Sequence, residues 1–200
     1  MSIDYGAPPE LQTIGWLGTD EPLTLAGEKG KVVALLAFQM LCPGCVARAL
    51  PQAQRLRERF APEDLTVIGL HTVFEHHAVM TPAALAAFLH ENRLGFPVGI
   101  DRPDGEDIPH TMAAYEMRGT PTMLIFDRAG RLRRHYFGQP DDMVLGAEIA
   151  AMIVEENPRV TEARLGRALV QPGHRHGDGE GDGHEHHHHH GDGCGCGHDH

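Results

Sequence analysis

Residues Val32 to Phe38 form an unbroken run of seven aliphatic or aromatic side chains, and four residues further on the chain reads Cys42-Pro43-Gly44-Cys45. Lys31 to Phe38, rich in Val and Leu, predicts a strand covered on both faces, because no alternation leaves a polar side for water. Such a strand needs a layer on each side, and its carboxyl end delivers a pair of cysteines. The stretch after Pro43 reads as a helix through about Phe60, with Pro51 as a kink and Pro62 beyond its end.

The same pattern continues downstream. Leu65 to His71 (LTVIGLH) predicts a second buried strand. Thr81 followed by Pro82 is an N-cap with proline at the first helical position; it opens a helix over AALAAFLHEN that Gly95 is expected to close. A short strand around Pro97 to Ile100, a helical stretch His110 to Met117 and a strand Thr122 to Phe126 follow. Asp127 to Gly130 (DRAG) predicts a hairpin turn into Leu132 to Phe137, and Asp141 to Glu156 carries the last helical periodicity. Strands alternating with helices before a closing hairpin predict an α/β fold, a central mixed sheet flanked by helices.

Charge and hydropathy bound the partners. Seventeen Lys and Arg against 28 Asp and Glu give −11, so a cationic nucleic-acid surface has no compositional support. The longest apolar run is far short of the ~20 residues a membrane-spanning helix needs. Met1 to Leu11, with Asp4, Glu10 and two prolines, lacks the basic then apolar layout of a secretory signal, and the expected location is cytoplasmic.

Two residues between Cys42 and Cys45 let both sulfurs meet across a first helical turn. Cys42, at the helix start, faces backbone N–H donors and the positive end of the helix dipole, which favour thiolate over thiol. Cys45, one turn further in, would attack a mixed disulfide formed at Cys42 and release the partner as a thiol. The spacing is also compatible with half of a structural zinc site or with inert core cysteines, although no second pair lies inside the domain at zinc-ribbon spacing. On the redox reading the cofactor is the Cys42–Cys45 disulfide itself, with no organic cofactor. The partners are then a protein or small-molecule disulfide and a thiol electron donor.

KVVALLAFQMLCPGC, followed about 75 residues later by GTPTMLIFDRAGRL, resembles thioredoxin-fold proteins of the TlpA-like or redoxin (AhpC/TSA) group over roughly Leu11 to Glu156. The resemblance implies a thioredoxin-like domain over residues 1–170, in which His71 to Pro109 is similar to the central insertion of TlpA-like proteins. It implies that Pro121 is cis and packs beside the cysteines, and that Thr120 offers its backbone to an extended substrate segment. Pro43, Gly44, Thr120 and Pro121 would then line the substrate groove. Read from the residues alone, an ordinary trans proline at a strand start is open for Pro121, and it is the resemblance that favours cis.

Some positions depart from the pattern. Leu36 stands where thioredoxin has a buried acid, Arg48 where many TlpA-like members have Glu, and Leu41 where a tryptophan commonly precedes the first cysteine. Peroxiredoxins resemble one another in a Pro-x-x-x-Thr-x-x-Cys loop, and here Leu35 and Gln39 occupy the Pro and Thr positions. A peroxiredoxin-like antioxidant peroxidase is therefore the weaker alternative, with peroxide turnover through an activated Cys42 still chemically open.

From Gly173 to His200 the 28 residues comprise 10 His, 9 Gly, 6 Asp or Glu, 2 Cys and Arg175, with nothing apolar to form a core. Residues 171–200 are accordingly expected to be a disordered tail. His174, His176, His184, His186, His187, His188, His189, His190, His198 and His200 supply imidazoles, and Cys194 and Cys196 supply thiols. This donor set suits Zn, Ni or Cu without fixing which. The tail resembles the histidine-rich tails of nickel-delivery chaperones, and a metal store or metallochaperone with a thioredoxin-fold carrier domain is a further alternative. A solvated tail without a ligand, or an expression tag, would have a similar composition. A tail cysteine exchanging with Cys42 is within tether reach. His71, Glu75, His76 and His77 form a smaller cluster after the second strand, open to a ligand contact or to ordinary loop polarity.

Overall fold

The computed structural model describes residues 8–105 and 107–155. In chain order the elements are β1 (Thr13–Leu17), β2 (Val32–Phe38), a π-helical turn (Cys45–Ala49), α1 (Leu50–Arg59) and β3 (Leu65–His71). There follow α2 (Pro82–Glu91), β4 (Val98–Asp101), α3 (His110–Ala114), β5 (Thr122–Phe126), β6 (Leu132–Phe137) and α4 (Asp142–Glu155). The six strands form one sheet in the order β1-β4-β3-β2-β5-β6. β2 runs parallel to β3, β3 parallel to β4, and β5 antiparallel to both β2 and β6. This is the thioredoxin-like α/β architecture with a mixed sheet flanked by helices.

β2 lies at the centre and is buried throughout, as its composition requires. Val32, Ala34, Leu36 and Phe38 share one core with Ala53 and Leu56 of α1, Leu85 and Leu89 of α2, and Leu145 and Ile149 of α4. Val33, Leu35 and Ala37 face the other core, with Met112 and Tyr115 at α3 and Leu124 and Phe126 of β5. The period of two in a strand assigns alternate residues to opposite faces, and here both faces are filled. The segment His71 to Pro109 contributes α2 and β4, and β4 bridges β3 to the antiparallel edge strand β1.

Besides α3, which ends at Ala114 short of Met117 with Glu116 in the left-handed conformation (φ 51), three local features differ from expectation. Pro51 has no N–H to give to an α-helical bond, and the helix meets it with a widened turn in which the Leu50 N–H reaches the Cys45 carbonyl. The predicted kink is thus a π turn that starts at Cys45. α2 is capped at its start by Thr81, whose hydroxyl accepts from the Ala84 N–H at 3.2 Å. It is not closed by Gly95. Arg93 takes the left-handed conformation (φ 53), and the Leu94 N–H returns to the Leu89 carbonyl at 3.0 Å. Gly95 instead makes room for Arg57, whose Nη1 would lie 3.1 Å from an added Cβ. β1 has no counterpart among the predicted strands.

Gly69 of β3 sets how closely the neighbouring side chains approach. A Cβ there would stand 2.9 Å from Val98 Cγ2, 3.0 Å from Phe96 Cε2 and 3.2 Å from Phe38 Cε1. Gly69→Ala is expected to destabilise the domain by about 1–3 kcal/mol through overpacking, read as a lower denaturant midpoint at unchanged slope.

Candidate active site

β2 ends at Phe38, and Gln39 to Leu41 carry the chain over the carboxyl edge of the sheet into Cys42. The Cys42 N–H donates to the Gln39 carbonyl at 3.2 Å and the Val46 N–H donates to the Cys42 carbonyl at 3.0 Å, which fixes Cys42 at the mouth of the helical turn. Cys42 is partly exposed and Cys45 is fully buried, and both are free thiols. The Cys45 N–H donates to Cys42 Sγ at 3.4 Å, and the Cys42 thiol donates to the Thr120 carbonyl at 3.5 Å.

The two sulfurs are electrostatically unequal. Burial opposes ionisation of Cys42, yet hydrogen bonds from the Cys45 thiol and backbone, the Thr120 side chain and the Gly44 backbone bring its pKa below the ordinary value. For Cys45, burial first and the hydrogen bond and charge of Cys42 next push the thiol up to about 12. Cys42 is thus the accessible and more readily ionised sulfur, and Cys45 the protected one.

The loop before β5 forms the other wall. The Thr120–Pro121 peptide is cis, in agreement with the resemblance, and Pro121 Cδ lies 3.6 Å from where a Gly44 Cβ would be. Pro43, Gly44, Thr120 and Pro121 therefore sit around the cysteine pair, in the arrangement proposed for a groove. Leu36 is buried in the core beneath, so no carboxyl stands at that position, and Arg48 is exposed to solvent. Leu41 is exposed at the rim.

A further pair at this rim was not legible from the sequence. The Arg118 guanidinium lies over the Phe137 ring, 5.0 Å from its centroid. Phe137 is the register partner of Thr122, and its ring approaches Gly119 to 3.2 Å from the Cβ position. The only hint was Arg118 standing immediately before Gly-Thr-Pro.

The His71 cluster does not converge. His71 is buried against Phe38, with ring centroids 5.4 Å apart, while Glu75 and His76 are exposed. Among the described residues no group of three or more His, Cys, Asp or Glu is placed to hold a metal. The tail positions His174 to His200, with Cys194 and Cys196, lie outside the described residues, as does the boundary near residue 170. Among the described residues no helix is long and apolar enough to cross a membrane.

Residues 9–135 match the AhpC/TSA family. The chain belongs to that family. Among solved structures, this AhpC/TSA chain is 54% identical to a thioredoxin-like superfamily protein, with TM-score 0.72 over 74% of this chain and 96% of that one. It is 46% identical to a thiol-disulfide isomerase from Corynebacterium glutamicum, with TM-score 0.70 over 74% and 97% of the two chains. A thioredoxin-like protein solved in its oxidized form shares the fold at 20% identity and TM-score 0.63, over 78% of this chain and 99% of that one. No curated protein matches. At the level these likenesses carry, the AhpC/TSA domain is a thiol-disulfide oxidoreductase-like redoxin.

Two outcomes follow from the titrations. In the reduced chain near neutral pH, iodoacetamide is expected to label Cys42 and spare Cys45, as read by peptide mass spectrometry; equal labelling would remove the asymmetry. Burial lowers the His71 pKa to about 4, so between that value and its ordinary 6.5 the unfolded chain binds a proton that the folded chain does not. Stability present above pH 6.5 is therefore lost as pH falls toward 4, by about 3 kcal/mol at most. His71→Phe is expected to flatten that part of the curve in denaturation measured across the interval.

Proposed function

We propose that this AhpC/TSA chain is a thiol-disulfide oxidoreductase that works through Cys42 and Cys45, acts as a reductase in the cytoplasm, and carries transition metal on its histidine-rich tail. The observation that carries the redox reading is the inequality of the two thiols, an accessible Cys42 with a lowered pKa beside a buried Cys45 with a raised one. The Cys42 thiolate attacks one sulfur of a substrate disulfide; a Cys42–substrate disulfide forms, the substrate S–S bond breaks, and the leaving thiolate takes a proton. Cys45 then loses its proton and attacks Cys42 Sγ, which releases the second substrate thiol and leaves a Cys42–Cys45 disulfide. Two electrons pass to the substrate, and a thiol donor restores the dithiol by the reverse exchange.

Thr120 and Pro121, with Pro43 and Gly44, are the groove in this reading, and a protein disulfide is the favoured substrate class. The C. glutamicum likeness supports it, being to a thiol-disulfide isomerase. Peroxide reduction is less favoured: Leu35 and Gln39 are buried, and neither offers a hydroxyl beside Cys42. A reducing compartment favours the reductase direction over disulfide formation. The tail proposal rests on its ten imidazoles and two thiols, a donor set for Zn, Ni or Cu.

Insulin-disulfide reduction with dithiothreitol tests both halves, in the intact chain, Cys42→Ser and a chain ending at Pro172, each with and without zinc or nickel. Expected is activity that survives truncation and vanishes in Cys42→Ser, with tight metal uptake confined to chains that keep the tail. Metal uptake without insulin reduction in any variant would put the metal-handling reading ahead.

A further inference from the structure

We propose that Arg118 selects, for the exchange at Cys42, peptide disulfides that carry a carboxylate within two residues of their cysteine. The inference rests on the proposed dithiol function and names its substrate class.

The chain is acidic, at −11, and around the β5–β6 hairpin the neighbouring arginines are engaged by carboxylates: Arg128, Arg131, Arg133 and Arg134 are each ion-paired. Arg118 is exposed and pairs with no carboxylate among the described residues, Glu116 two residues earlier included. It is nevertheless held in place, because its guanidinium lies over Phe137, a ring that is 55% exposed and rests on Gly119. Stacking on an aromatic face leaves the N–H edge of a guanidinium free to donate, and that edge matches a carboxylate. The position is also fixed relative to the chemistry. Arg118 is two residues from Thr120, whose carbonyl is 3.5 Å from Cys42 Sγ, and the Gly138 N–H ties the Phe137 end of β6 to the Pro121 carbonyl at 2.8 Å. Residues 118–120 lead through a bend into Pro121, so a segment held at the Thr120 backbone has the residues flanking its cysteine within reach of a guanidinium at position 118.

The test uses the full chain, reduced and freed of reductant, against two symmetric peptide disulfides that differ only in Asp or Asn two residues before the cysteine. The second-order rate constant of thiol release is divided by that of the same peptide with dithiothreitol, which removes intrinsic reactivity. Expected is an Asp-to-Asn ratio of about 3 to 5 at low salt, shrinking toward 1 at about 0.5 M salt. Arg118→Gln should bring the ratio to 1 at both salts, and Arg118→Lys should keep a salt-dependent preference. A ratio of 1 in the wild type, or an unchanged ratio in Arg118→Gln, overturns the inference while turnover of the Asn peptide sustains the dithiol reading. Turnover of neither peptide overturns both.

Discussion

The position of β2 between β3 and β5 is the constraint on which the rest depends. Because β2 is parallel to β3, its carboxyl end meets the carboxyl end of β3; because it is antiparallel to β5, the same end meets the start of β5. The register pairs Ala37 with Thr122, so the chain leaving β2 toward Cys42 and the chain entering β5 from Pro121 arrive side by side. The contact between the Cys42 thiol and the Thr120 carbonyl follows from that pairing. Burial of β2 on both faces holds the register, since a slip of one residue would exchange the side chains of the two cores.

The asymmetry of the thiols grows from the same geometry. Cys42 lies before the first helical turn, where the Cys45 N–H points at its sulfur, and Cys45 lies one turn on, where the helix turns its side chain into the core of Phe38 and Met40. Pro51 contributes from the far side: by widening the turn that begins at Cys45, it lets a proline sit two positions into α1 without leaving a carbonyl crowded by its ring. The π turn thus lies where the redox pair joins the long helix.

Much of the fold was legible because it rests on continuous apolar runs. β2, β3, β5 and β6 are where runs or alternation placed them, and Thr81-Pro82 gave the start of α2. β1 was not legible: TIGWL is half-exposed, sits at a sheet edge and bears an irregularity between Thr13 and Gly15, so neither alternation nor full burial marks it. Gly95 misled because glycine usually closes a helix, whereas Arg93 took the left-handed position and Gly95 was needed for close approach to Arg57. At the site, the cysteine spacing carried its own chemistry and the Thr-Pro pair was found through resemblance. The stacking of Arg118 on Phe137 is a product of the hairpin, which brings together residues nineteen apart in sequence, and no local pattern encodes it.

The absence of an acid at Leu36 bears on how a dithiol exchange would proceed here. A Cys45 thiol raised to about 12 by burial and by Cys42 gives up its proton reluctantly, and hydrogen bonds from Gln39 and Thr120 only partly offset that. The charge contribution of Cys42 to this pKa disappears once its sulfur enters a mixed disulfide, so the first half of the exchange itself lowers the barrier to the second. The burial contribution does not disappear until a substrate or a shift of the helical turn lets water reach the sulfur. In a site that keeps a buried carboxyl, a fixed base can receive this proton; with leucine in its place, ionisation of Cys45 in the proposed exchange would depend on the state of Cys42 and on access of water to its sulfur. In the proposed exchange, the chemistry of the pair would thereby be tied to what occupies the space between the CPGC turn and Thr120, since a disulfide attacked there consumes the Cys42 charge.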